Sequence, residues 1–339
     1  MIDNATSHSP VTLLDVARAA GVSPATVSRI LNGTAKVSAD KRLAVEQAIA
    51  EMRFEPNQLA QSLKSGKSMT IGIVVQDIAS PFFAEALRGV DDGLKASGYA
   101  SVIVSGHWNA IEEAARIKLL LARKVDGLIL LSGHIADQDV LRFATQRPIV
   151  ATGRLLNSAH AKGFKIDNEH GAMLAVRHLL ELGHRRIAFI AGPSNNPDAN
   201  ERLAGYRRAL EEANLAFEAK LVVEGDLHES SGLLAINHLL ENQQQFTAVF
   251  AVNDQTAYGV RLSLYRKGIR VPDDMSVIGF DDLPTSLYTT PPLTTIRQPL
   301  YEMGLAAATA LLGIINDKAA DISLPPLELV VRETTRRLR

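Results

Sequence analysis

Residues 12–32 read TLLDVARAAGVSPATVSRILN, and what this stretch folds into decides how the rest of the chain is read. Thr12 and Asp15 stand three apart ahead of an apolar run. That is the pattern of a capping box, in which the hydroxyl takes the third amide and the carboxylate reaches back to the cap. Leu13, Val16, Ala17 and Ala20 then share one helix face. Gly21 stands where that helix must stop, because only glycine enters the left-handed region cheaply. Ser23 and Pro24 open a second helix as N-cap and first residue. A third begins at Ser38 and carries Leu43, Val45, Ala48, Ile49 and Met52 as apolar positions. Two short helices around a tight glycine turn make a helix-turn-helix. Its second helix turns Pro24, Ala25, Thr26, Ser28 and Arg29 outward. Arginine can grip guanine with two hydrogen bonds, while alanine or a threonine methyl can touch a thymine methyl. The same periodicity also suits a plain three-helix packing module with one face in solvent.

Beyond residue 70 the texture changes. Short β-rich runs at 71–75, 101–105, 127–131, 149–151, 187–191, 221–224, 248–252, 276–279 and 294–297 alternate with helical periods such as 82–97, 111–123, 169–182 and 254–268. Apolar strands separated by helices imply parallel sheets covered on both faces. Some 270 residues exceed one comfortable core, so two α/β lobes are expected. Between the two textures, residues 57–68 (NQLAQSLKSGKS) are polar and end in Gly and Ser, as a linker does.

Composition narrows the chemistry. The 339 residues carry a net charge of −1 and no cysteine, which excludes disulfides, thiolate metal sites and cysteine nucleophiles. The first 68 residues are +2 and the remainder −3, too weak an excess to suggest nucleic acid without the motif. The first ten residues are polar and no apolar run approaches a membrane span, so a cytoplasmic protein is expected, with no membrane partner. No Gly-x-Ser-x-Gly elbow, dinucleotide fingerprint or P-loop is present. Of the histidines at 160, 170, 178 and 184, His170 and His178 stand two helical turns apart and His184 lies in the turn beyond that helix; solvated or capping roles are expected for them, with no metal and no cofactor. No catalytic constellation stands out, and an enzyme is not expected.

The quoted stretch, together with the run from Arg53 to Ala60 and then Leu63, resembles the DNA-binding headpiece of the LacI/GalR family of bacterial transcription repressors. The resemblance continues to the end of the chain. It implies a three-helix headpiece over 11–56, a hinge helix and linker over 57–68, and a core over 69–339 of two doubly wound parallel-sheet lobes like the periplasmic sugar-binding fold. The lobes would span 69–167 with 299–326, and 168–298 with 327–339. Carried over residue by residue, the DNA contacts would come from Thr12, Ser23, Pro24, Ala25, Thr26, Ser28, Arg29, Asn32, Asn57, Ala60 and Leu63. Leu63 matches the leucine that wedges between central base pairs in the minor groove, where an apolar wedge kinks the duplex. The family acts as a homodimer on a pseudo-palindromic operator, each headpiece reading one half-site. In the core, apolar surface near the helices starting at Phe82 and Asp254 would pair.

Ligands of such sheets sit beyond the carboxyl ends of strands. Residues past the runs therefore become effector candidates: Asp77, Phe82, Trp108, Asn109, Arg154, Arg202, Asn253, Asp281 and Gln298, of which the resemblance matches Arg202, Asn253, Asp281 and Gln298 to the family's ligand-contacting positions. Amides, carboxylates, an arginine and aromatics suit a polyhydroxylated ring, with paired hydrogen bonds to hydroxyls and an apolar face to stack. Asp254 reads equally as a helix N-cap, and Asp282 as a turn residue. Leu227, where some relatives have a stacking aromatic, and Gly153, where some have an acid, count against transferring any one sugar. A sugar or sugar derivative is the first reading; a purine or a phosphorylated metabolite acting as co-repressor is the alternative. The expected effect of Leu63→Ala, measured by operator titration, is weaker specific binding with the effector affinity of the core unchanged.

Overall fold

The computed structural model describes residues 11–31, 37–54, 66–318 and 322–338; Asn32, Asn57, Ala60 and Leu63 lie outside them. The chain divides into two compact units between Ser68 and Met69. In the first, α1 (Leu13–Ala19), α2 (Pro24–Leu31) and α3 (Ala39–Met52) follow in order. The Asp15 amide donates to Thr12 Oγ1 at 3.4 Å, and the Thr12 amide donates to Asp15 Oδ2 at 3.0 Å. The capping box is thus closed. Gly21 turns the chain at φ +64°, and Ser23 Oγ accepts from the Thr26 amide at 3.2 Å. Val16, Ala17, Val27, Ile30, Val45, Ala48 and Phe54 fill the core. Leu43, expected inside, is 55% exposed. It stands two residues before Val45, about 200° round the helix and so on the opposite face.

The larger unit begins with β1 (Thr70–Val75), α4 (Pro81–Lys95), β2 (Ala100–Ser105), α5 (Ala110–Ala122), β3 (Gly127–Leu130), α6 (Asp137–Ala144), β4 (Ile149–Thr152), β5 (Leu156–Asn157) and β6 (Ala161–Phe164). These strands form one sheet in the order β2-β1-β3-β4-β6-β5, parallel except for β5. Strand alternation sorts the side chains. Ile71, Ile73 and Val75 face one core with Phe83, Val90 and Leu94 of α4; Val74 faces the other with Ile117 and Leu120 of α5.

A second lobe repeats the scheme with α7 (Asn168–Glu181), β7 (Ile187–Ala191), α8 (Pro197–Glu212), β8 (Val222–Glu224), α9 (Glu229–Glu241), β9 (Ala248–Ala251), α10 (Asp254–Arg266) and β10 (Ser276–Ile278). Its parallel sheet runs β10-β9-β7-β8. Phe189 and Phe250 stack beneath α7 and α8 with centroids 4.8 Å apart. After β11 (Thr295–Arg297) the chain crosses back, because α11 (Leu300–Ile315) packs on α4 in the first lobe. That crossing is close. A Cβ on Gly304 would stand 1.9 Å from the Ala86 carbonyl oxygen, and one on Gly89 would stand 2.0 Å from that of Tyr301. Finally β12 (Glu328–Val330) pairs antiparallel with β11.

Two expectations are corrected. Strand β2 is not covered on both faces: as a sheet edge it leaves Val102 and Ile103 38% and 40% exposed. His184 is neither solvated nor a cap. It is buried, with Nδ1 bonded to Thr247 Oγ1 at 2.8 Å and Nε2 near Ser276 Oγ and the Arg336 carbonyl. His178 Nε2 meets Thr335 Oγ1 at 2.9 Å, so the two rings fasten the carboxyl-terminal segment to the second lobe.

Burial lowers both histidines from the ordinary 6.5. The folded state holds them neutral, while the unfolded chain takes up protons below about pH 6.5. Their contribution to stability is therefore complete above that pH and is lost as pH falls through it. Urea midpoints measured from pH 7.5 down to 5 should fall, and less steeply in His184→Asn; equal slopes would remove His184 from the account.

Candidate functional site

Two surfaces carry candidate chemistry, one in each unit. In the first, α2 buries Val27 and Ile30 and exposes Pro24, Ala25 and Arg29, with Ser23 exposed at its cap. Thr26 Oγ1 lies 2.9 Å from Ser23 Oγ, and Arg29 Nε donates to the Ala25 carbonyl at 3.2 Å. The hydroxyl of Thr12 is engaged with Asp15 Oδ2 at 2.6 Å. Ser28 is half-buried. The helix thus offers a small-residue face with an arginine at its far end, narrow enough for a major groove.

In the second unit the strands of both lobes end on a shared cleft. From the first lobe Asp77, Phe82 and Trp108 line it; from the second, Arg202, Asn253 and Asp281 do. These six match the strand-end reading. The cleft is open to solvent at its mouth and narrows between the two sets of side chains. Phe82 meets Phe83 edge-on at 5.1 Å, and Phe83 stands 6.2 Å from Trp108. One wall is therefore aromatic.

The other wall is a buried polar network. Arg202 lies over the Phe280 ring at 3.8 Å. Its Nε donates to Asn168 Oδ1 at 3.0 Å and its Nη1 donates to the Val252 carbonyl at 2.6 Å. Nη1 also stands 3.6 Å from Asp281 Oδ1, which accepts from Gln298 Nε2 at 2.6 Å. Asn168 hands the network on, donating to Asp198 Oδ1 at 3.0 Å. Burial raises the pKa of Asp281; Arg202 opposes the shift and the Asp254 carboxyl adds to it. Asp198 is raised for the same reason.

Three candidates fall outside the cleft lining. Asn109 caps α5, its Oδ1 accepting from the Ile111 and Glu112 amides. Arg154 is turned onto the carbonyls of Ile135 and Gly133 and onto Asp137. Gln298 stands behind Asp281 and orients it. The cap of α10 is Asn253, whose Oδ1 accepts from the Thr256 amide at 2.9 Å. Asp254 instead is fully buried, accepting from the Leu283 amide, Ser286 Oγ and Thr295 Oγ1, and burial raises its pKa. Asp282 is more than a turn residue, since it pairs with Arg297 and Arg332.

Sequence reading missed Ser80, Ser132, Asn196, Asp198, His228 and Gln255 in the lining. All six lie within about eight residues after a strand, so a wider window past each strand end was the available signal. Among the described residues no three His, Asp or Glu side chains gather to hold a metal ion.

Comparison with known proteins bears on both surfaces. Residues 12–57 match the profile described as "Bacterial regulatory proteins, lacI family", and residues 176–335 match "Periplasmic binding protein-like domain". The HTH-type transcriptional regulator GalR of Escherichia coli is 37% identical over 91% of this chain and 90% of its own. Among solved structures, the lac repressor dimer bound to operator and the anti-inducer ONPF superposes with a TM-score of 0.86 at 32% identity, covering 97% of this chain and 100% of that one. The transcriptional regulator CelR in complex with cellobiose gives 0.70 at 35% identity, over 96% and 99%.

Arg202→Ala would leave Asp281 buried without its cation and the Val252 carbonyl without its donor. The expected cost is about 3–5 kcal/mol in the second lobe, read as a lowered urea midpoint; an unchanged midpoint would show that the pair does not hold the strand ends together.

Proposed function

The chain belongs to the lacI family of bacterial regulatory proteins, and from that premise we propose how its two surfaces work together as a transcriptional repressor. The α2 face enters the major groove of an operator half-site. Pro24, Ala25 and Thr26 supply close apolar and hydroxyl contact, and Arg29 supplies the base-specific pair. The observation that carries this reading is the exposed Ser23–Arg29 surface over a buried Val27 and Ile30 seam. The protein performs no catalysis and acts in the cytoplasm, on DNA.

A homodimer presents two such helices to a pseudo-palindrome. The outward face of α4 carries Arg88, Asp91, Asp92 and Lys95, which are exposed and charged, so this helix is a poor apolar contact. Val102 and Ile103 of β2 supply one instead. In the second lobe Leu262 and Tyr265 of α10 are 43% and 81% exposed, and Leu287 and Tyr288 are 51% and 80% exposed. Tyr258, on the same helix, bonds Ser286 at 2.7 Å, which ties α10 to the segment that carries Leu287 and Tyr288. We assign these patches to the dimer contact. Among the described residues no helix is long and apolar enough to cross a membrane.

The effector is a neutral sugar. Asp77, Asp198 and Asp281 line the cleft against Arg202 as the lining's one guanidinium, and that guanidinium is already turned onto Val252, Asn168 and Asp281. Carboxyl and amide groups accept from and donate to ring hydroxyls, whereas a phosphate would enter a partly desolvated site whose guanidinium is already engaged. Phe82 and Trp108 cover the apolar face of the ring. Binding favours one lobe arrangement over another only by its differential affinity for the two, and the linker carries that difference to the headpieces.

Arg29→Ala should cost about 1–3 kcal/mol at one base pair and relax preference there; operator variants titrated by fluorescence anisotropy report it, and unchanged preference would remove Arg29 from base readout. In a panel of neutral sugars, their phosphates and purines, only neutral sugars should change Trp108 fluorescence. A response to a sugar phosphate alone would contradict the charge argument.

A further inference from the structure

Gln76 follows the last residue of the central strand β1 and is buried, 1% exposed, with its side chain joined to two neighbouring strand ends. The β1–β2 ladder closes with Val75 opposite Ser105. Past it, the Gly106 amide donates to the Val75 carbonyl at 2.8 Å and the His107 amide to the Gln76 carbonyl at 3.0 Å. The next amide, that of Trp108, donates to Gln76 Oε1 at 3.0 Å. The side-chain carbonyl thus supplies one more rung after the backbone has turned away. On the other side Gln76 Nε2 donates to the Ser132 carbonyl at 3.3 Å, at the end of β3.

What this rung holds is costly to hold. His107 and Trp108 both sit at φ +54°, a left-handed conformation that disfavours bulky side chains. Packing leaves little alternative around them. A Cβ on Gly106 would lie 2.6 Å from Glu113 Cγ and 3.0 Å from Gln76 Oε1. Glu113 in turn accepts from the His134 and Ile135 amides, and the His134 ring backs Trp108 at 5.4 Å. Trp108 and Ser132 line the cleft, whereas Gln76 stands behind them.

We propose that Gln76 is a positioning residue for the cleft: by bonding the Trp108 amide and the Ser132 carbonyl together, it fixes the indole where a ligand ring stacks. It touches no ligand itself. Its effect on ligand affinity rests on reading the cleft as a sugar site; its effect on the indole does not.

Trp108 is the chain's one tryptophan, so its emission reports on this position alone. The test uses the full-length protein in two variants. Gln76→Met removes both bonds at nearly constant volume, and Gln76→Glu keeps an acceptor for the Trp108 amide. In the unliganded protein Gln76→Met should move Trp108 emission to longer wavelength and open it to acrylamide quenching, and Gln76→Glu, which keeps the Trp108 bond but loses the donor to the Ser132 carbonyl, should move it in the same direction by less. Titrated with D-ribose, D-galactose and cellobiose, Gln76→Met should bind whichever sugar the parent binds roughly tenfold more weakly, the loss of about one buried hydrogen bond. A folded Gln76→Met with parent emission and parent affinity, changed only in melting temperature, would overturn the proposal. So would a folded Gln76→Glu with the parent emission, which also covers the case in which the Met variant does not fold. If no sugar affects the parent, the sugar reading fails, and the unliganded emission still decides the role of Gln76.

Discussion

A guanidinium and a carboxylate, 3.6 Å apart and both nearly inaccessible to water, hold the second lobe's functional edge in place. Burying two charges costs several kcal/mol each, and attraction offsets this only when every remaining donor and acceptor is matched. Arg202 and Asp281 draw such partners from Asn168, the Val252 carbonyl and Gln298. Those partners come from α7, the end of β9 and the segment after β11, while the pair itself comes from α8 and the end of β10. Satisfying one ion pair therefore fixes the relative positions of five segments. The network's geometry is therefore set without a ligand, and a ligand proposed to bind against it would lose little binding energy to ordering side chains.

Around this network the fold is arranged so that two lobes can share one ligand. The chain passes between them more than once: α11 returns to α4 through a crossing where Gly89 and Gly304 let backbones touch, and β12 returns to β11. Tightly packed helix pairs are not continuously deformable. Change is expected instead between the lobes, where Ser80 Oγ donates to Gln255 Oε1 at 3.0 Å across the cleft. A regulator needs both properties. Its lobes must be rigid enough to transmit a difference and separate enough to have one.

Much of the N-terminal unit was legible because its signals are local. A capping box, a left-handed glycine and a Ser-Pro start are each decided within four residues, and all three stand as read. Strand ends were legible as the close of short apolar β-rich runs, and with the family resemblance this is how Asp77, Trp108, Arg202, Asn253 and Asp281 were brought together. Short strands with weak patterns, such as Leu156–Asn157 and Glu328–Val330, were not. What a polar side chain does once the chain has folded was harder. Asn109 and Asn253 are the same residue type just past a strand; both cap helices, and only Asn253 also borders the cleft. Arg154 was drawn away by carbonyls of a loop 19 and 21 residues earlier. His184 found partners 63 and 92 residues later, a distance at which no spacing rule applies.

The central claim is that one ligand in the cleft governs the hold of the headpieces on DNA. It is tested most directly by titrating the full-length protein, bound to a fluorescent operator fragment, with the sugar that alters Trp108 emission. Operator anisotropy and Trp108 emission are followed in the same sample. Coupling between two sites is reciprocal, so the account predicts that both signals change over the same range of sugar concentration and that operator DNA shifts the apparent sugar affinity. Saturation of the Trp108 signal with operator affinity unchanged would contradict it.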